Sequence, residues 1–136
     1  MEIMGSCFCS AVQFKLSNAP KAVVNCHCNF CRRHSGSAFA TYAVVPEATF
    51  EIISGYDSIS IFQFKENAHK HFCKQCGTPI FNKNVRYAGL CMVYFGVISD
   101  SLNMAPTVNI YCESQLAWVP AIAEIRSFAQ GVPKQT

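Results

Sequence analysis

Apolar and polar residues alternate along most of this chain with the two-residue period of half-buried strands, not the 3.6-residue period of helices. In AVQFKL (11–16) the alternation puts Val12, Phe14 and Leu16 on one face and Gln13 and Lys15 on the other. KAVVNC (21–26) follows the turn-like SNAP, and SAFATYAVV (37–45), TFEII (49–53) and SISIFQF (58–64) are separated by the turn-rich VPEA and SGYD. AHKHFC (68–73), PIFNK (79–83), LCMVYFGVI (90–98) and TVNIYC (107–112) complete the set. No segment sustains helical periodicity over three turns. The best short helix candidate is NFCRRHSG (29–36), where Gly36 supplies the left-handed residue that ends a helix. The pattern predicts a mainly β fold of short antiparallel strands with little helix, forming a single domain over residues 1–136.

Composition agrees with a packed core, since 51% of residues are hydrophobic and only 14% are charged. The N-terminal MEIMGSCFCS lacks the basic-then-apolar pattern of a secretory signal, and GLCMVYFGVI (89–98) is about half the length of a membrane-spanning helix. The expectation is therefore a cytoplasmic protein with no membrane partner. In that reducing compartment the nine cysteines read as metal ligands or reactive thiols, not as disulfides. The net charge is only +3, and Arg32-Arg33 is the one adjacent basic pair. That argues against a nucleic-acid partner, which calls for a basic stripe, but leaves room for a small anionic ligand. Exposed β edges make a homodimer reasonable.

Seven cysteines fall into three groups: Cys7 and Cys9; Cys26, Cys28 and Cys31; Cys73 and Cys76 followed by Gly77. Spacing permits two ligand sets. In one, Cys28, Cys31, Cys73 and Cys76 form a single four-thiolate zinc site and three thiols are left over. In the other, Cys7, Cys9, Cys73 and Cys76 close a structural site, while Cys26, Cys28 and Cys31 form a second site with one open position, the mark of a catalytic zinc. Disulfides or unmetallated thiols are the remaining possibility.

The order GSCFCSAVQF (5–14), CHCNFCRRHSGSAFATY (26–42), FCKQCGTPIF (72–81) and IYCESQLAWV (110–119) resembles the glutathione-dependent formaldehyde-activating family, also called the GFA or CENP-V type. The resemblance runs from Gly5 to about Trp118 and rests most on CHCxxCRxxxGSAF. It implies a zinc-binding β-tent fold with two zincs per chain. Cys7, Cys9, Cys73 and Cys76 would hold the structural zinc, and Cys26, Cys28 and Cys31 the second, the catalytic set. The implied activity is that of a carbon–sulfur lyase joining glutathione to formaldehyde, as in S-(hydroxymethyl)glutathione synthase. The chain departs from the pattern at Ser10, where relatives often have Gly, and around Asp100; Cys91 has no family role.

A zinc with three thiolates is a poor Lewis acid, but it lowers the pKa of an incoming thiol, which binds as a nucleophilic thiolate. Glutathione's sulfur would take the open position and attack the carbonyl carbon of formaldehyde or a related small aldehyde. Arg32 and Arg33 are candidates to hold a glutathione carboxylate, and Ser37 to hydrogen-bond ligand. His27 reads as packed or hydrogen-bonded, His34 as a rim residue, and His69 and His71 as strand-surface residues or supplementary ligands. Tyr42, Tyr94 and Trp118 could line a pocket but read by default as buried aromatics, and Cys91 and Cys112 as buried in strands. The competing functions are a glutathione or small-thiol carrier without turnover and a zinc-stabilised protein-interaction module. Methionine sulfoxide reduction fits poorly, because it predicts two CxxC pairs and a separate reactive cysteine.

Overall fold

The structure is a computed structural model, and it describes residues 2–99 and 102–134. It contains two sheets. β1 (Ile3–Ser6), β2 (Gln13–Leu16) and β5 (Phe50–Ser54) form the smaller one, antiparallel throughout in that spatial order. The larger has seven strands: β3 (Ala22–Cys26), β4 (Ala40–Pro46), β6 (Ile59–Phe64), β7 (Ala68–Cys73), β8 (Pro79–Asn84), β9 (Leu90–Tyr94) and β10 (Val108–Ile110). Their spatial order is β10-β3-β4-β9-β8-β7-β6. All neighbours are antiparallel except β10, which lies parallel to β3. A parallel partner needs a long return connection, and α1 and every strand from β4 to β9 lie between β3 and β10 in the chain. Beyond β9, Ile98 forms an isolated antiparallel bridge with Gly5.

Register assigns the two faces of the large sheet to different work. Phe14 and Leu16 of β2 and Val12 just before it share one face as the alternation requires, and all three are fully buried. They pack against Ala43, Val45, Ile80, Phe81 and Val93, so the core lies between the two sheets. On the opposite face, cross-strand pairing aligns Phe62, Lys70, Asn82 and Met92 in one row and Val24, Tyr42 and Tyr94 in another. Directly opposed residues share a face. This second face carries α1 (Asn29–Ser35), the helix that the local pattern placed between β3 and β4. Gly36 ends it at φ 72°, its N–H bonding the Arg32 carbonyl at 2.8 Å.

The strand reading holds with three adjustments. β1 was not anticipated. LCMVYFGVI stops being a strand at Tyr94 and turns into a 3₁₀ segment at Phe95–Val97. Cys112 is not buried in a strand: β10 ends at Ile110, and Cys112 opens an exposed 3₁₀ turn.

Candidate metal centres

Two turns meet at the first cysteine cluster. Cys7 and Cys9 lie in the β1–β2 connection, Cys73 ends β7 and Cys76 lies in the β7–β8 turn; their four sulfurs all lie within 4.8 Å of one another. Cys7 Sγ is 3.7 Å from Cys9 Sγ, which is 3.8 Å from Cys73 Sγ. A tetrahedron of thiolates about 2.3 Å from a zinc ion has sulfur–sulfur edges of about 3.8 Å, whereas a disulfide requires about 2.05 Å. The donor set therefore fits a closed four-thiolate zinc site. The Val12 N–H donates to Cys7 Sγ at 3.3 Å, and Thr78 Oγ1 lies 3.1 Å from Cys76 Sγ. The Thr78 hydroxyl first, then hydrogen bonds from the Thr78 and Cys9 backbone and from the Cys9 side chain, hold the Cys76 thiol down to about 5.

Cys26, Cys28 and Cys31 form the second cluster, again with all sulfurs within 4.8 Å. Cys26 ends β3, Cys28 is the N-cap of α1, and Cys31 lies in the first turn, where its N–H donates to Cys28 Sγ at 3.2 Å. Three thiols converge because a strand end and a helix start follow one another without a loop. Among the described residues no fourth Cys, His, Asp or Glu joins them. The hydrogen bond between Cys26 and Cys31 holds the Cys31 thiol down to about 5, with help from Lys70 and the Tyr42 hydroxyl, and pushes Cys26 up. Such a set of soft donors fits a metal ion with one position left for another ligand.

The surroundings of this cluster come from β4, β7, β8 and β9. Tyr42 Oη lies 3.1 Å from Cys31 Sγ, and Lys70 Nζ lies 3.9 Å from that sulfur and 3.3 Å from Tyr42 Oη. The hydrogen-bond pattern orients the Asn82 amide so that Oδ1 accepts from Lys70 Nζ at 2.7 Å and lies 3.0 Å from Tyr42 Oη. Tyr94 Oη stands 3.5 Å from Tyr42 Oη and 3.4 Å from His34 Nδ1. Burial pushes the Lys70 ammonium below its ordinary range, against the pull of the Cys31, Cys28 and Cys26 thiolates. Burial and Lys70 together lower His34.

Arg32, Arg33 and Ser37 come together with Leu116 and Trp118 around an open cavity of about 430 Å³. Neither arginine forms an ion pair among the described residues, and Arg32 Nε is buried with no hydrogen-bond partner. Trp118, expected as a buried aromatic, is 55% exposed and lines this cavity instead. His27 is buried outside the cluster, with Nε2 3.1 Å from Asn109 Oδ1 and its ring against Phe39. His71 stacks on Phe81 at 4.0 Å, its pKa pushed down to about 4 by burial and by Lys83, and lies in neither cluster. His69, opposite Lys83 on the neighbouring strand, lies in neither as well. Cys91 is buried as expected, and burial raises its thiol to about 11. Asp100 lies outside the described residues.

Lys70 and Asn82 carry no motif and were not anticipated. The signal available was parity, since Lys70 alternates with His69 and His71 and therefore faces the other way.

Comparison with known proteins agrees with this arrangement. Residues 2–114 match the profile of the glutathione-dependent formaldehyde-activating enzyme family. A Halomonas elongata protein provisionally named as such an enzyme is 26% identical over 126 residues, covering 88% of this chain and 80% of the relative. An Aspergillus flavus protein with the same provisional name is 28% identical over 83 residues, 58% of this chain and 44% of its own length. A crystal structure of a Rhodobacter sphaeroides protein superposes with a TM-score of 0.62 at 24% identity, covering 76% of this chain and 97% of that one. That likeness establishes the fold. No helix among the described residues is long and apolar enough to cross a membrane. With the match extending over residues 2–114, the chain belongs to the glutathione-dependent formaldehyde-activating enzyme family.

Proposed function

We propose that this protein is a zinc-dependent carbon–sulfur lyase that adds the thiol of glutathione to formaldehyde or a related small aldehyde. Cys7, Cys9, Cys73 and Cys76 would hold a structural zinc, and Cys26, Cys28 and Cys31 a second one with catalytic duty. The observation that carries the reading is the contrast between them: four sulfurs converge in one cluster and three in the other. When bound at the second cluster, zinc would lower the pKa of an added thiol and keep it as thiolate at neutral pH.

The chain's own residues perform the rest. Arg32, which also donates to Asn29 Oδ1, and Arg33 form no ion pair among the described residues and stand beside an open cavity, where they offer charge-assisted hydrogen bonds to a glutathione carboxylate, with Ser37 on the same wall. Trp118 and Leu116 cover the apolar parts of the peptide. In the addition, the thiolate sulfur forms a bond to the carbonyl carbon and the C=O π pair moves to oxygen. Solvent returns to that oxygen the proton the thiol gave up, so the hydroxymethyl adduct forms with no net proton change. Removing both guanidinium groups in Arg32→Ala/Arg33→Ala should weaken glutathione binding by at least about tenfold. Calorimetric titration of the zinc-loaded protein measures this, and an unchanged affinity sinks the assignment of the arginines. Glutathione binding without acceleration of adduct formation would instead make the protein a thiol carrier.

A further inference from the structure

Among the described residues Lys70 is the only Lys, Arg, Asp or Glu that is buried, at 4% exposure. A buried ammonium is costly unless a negative charge and hydrogen bonds compensate it. No carboxylate pairs with Lys70 among those residues. Its hydrogen-bond partners are instead Asn82 Oδ1 at 2.7 Å, Tyr42 Oη at 3.3 Å and Cys31 Sγ at 3.9 Å. The Phe30 ring covers it, 5.0 Å from Nζ. Asn82 and Tyr42 are neutral, so the negative charge facing this cation is the cysteine cluster itself.

We propose that Lys70 is the built-in counter-cation of the Cys26–Cys28–Cys31 cluster, and that it makes the open position there selective for an anionic thiolate over a neutral ligand. This rests on the reading of that position as open. Three thiolates around a divalent cation leave a net charge of −1, and a fourth thiolate makes it −2. An ammonium 3.9 Å from Cys31 Sγ offsets one of these charges in a site shielded from water. A neutral ligand adds no charge and gains nothing from Lys70. Tyr42 and Asn82 act as positioning residues, anchored on β4 and β8 and aiming the ammonium at the sulfur.

Cobalt in place of zinc turns the test into a spectroscopic one, since sulfur-to-cobalt absorbance reports each added ligand without any turnover. The probes are 2-mercaptoethanol, a thiol with no carboxylate to engage Arg32 or Arg33, and imidazole as the neutral ligand. Lys70→Met should weaken 2-mercaptoethanol binding by at least about tenfold, and Lys70→Arg should retain it. Imidazole affinity should stay within about twofold in both. Asn82→Asp keeps the lysine but places a carboxylate against it, and should reproduce the thiol-specific loss independently of how Lys70→Met folds. Thiol affinity unchanged in Lys70→Met and Asn82→Asp, or thiol and imidazole weakened alike, would overturn the proposal. Wild-type protein that takes up neither probe would instead refute the open position, and with it the proposed function.

Discussion

Ser10 sits at φ 66°, in the left-handed region where glycine is free of strain and a Cβ is not. It follows the Cys7–Cys9 pair directly, and its N–H closes the turn on the Cys7 carbonyl at 3.2 Å. A glycine at this position would adopt the same geometry without strain. Ser10→Gly should raise stability by about 0.5–1 kcal/mol, read from urea unfolding of the zinc-loaded protein; a loss would mean that the serine side chain has a role of its own. Two glycines provide the converse test. A Cβ at Gly55 would lie 1.8 Å from the Ala11 carbonyl oxygen, whereas one at Gly36 meets nothing within 4 Å. Gly36→Ala should cost about 1 kcal/mol through its backbone alone, and Gly55→Ala more than about 2 kcal/mol, because main chain has to move. Equal costs would contradict the close approach of β5 to the Cys7–Val12 turn.

At the scale of elements, the two cysteine clusters bind different things together. The first ties the β1–β2 turn of the small sheet to the β7–β8 turn of the large one. The second lies within one contiguous strand–helix segment. Cys73→Ser should therefore lower the thermal midpoint of the whole domain, while Cys28→Ser should keep the fold and reduce zinc from two to one per chain. Metal analysis alongside circular dichroism separates these outcomes; loss of fold in Cys28→Ser would argue against the division of roles. Helix α1 was legible because its signal is local: Gly36 at its end. β1 was not, since IMGS is short and contains a glycine that strands disfavour. The direction of β10 was equally hidden, because parallel pairing to β3 depends on a distant strand and leaves no mark on TVNIYC itself.

For the whole molecule, spacing left two groupings of the cysteines open and the family resemblance pointed to the pair of clusters observed, but the walls around them were not readable. Tyr42, Lys70, Asn82 and Tyr94 come from four strands and are brought together beside Cys31 only through sheet register. The Arg32–Trp118 cavity joins the helix to a segment more than eighty residues away in the chain. A polar residue such as Lys70 in an alternating strand reads as solvent-facing, and it is buried here because that face is partly covered by α1 and its aromatic Phe30. The two faces of the large sheet thus carry the apolar core on one side and the three-thiol cluster on the other. The most direct measurement of the account is the rate of S-hydroxymethylglutathione formation followed by exchange NMR, with zinc-loaded wild type and Cys28→Ser compared against buffer. The account expects wild type to accelerate the addition and Cys28→Ser, still folded around its first zinc, to fall to the uncatalysed rate. A wild-type rate equal to that of buffer alone would contradict it.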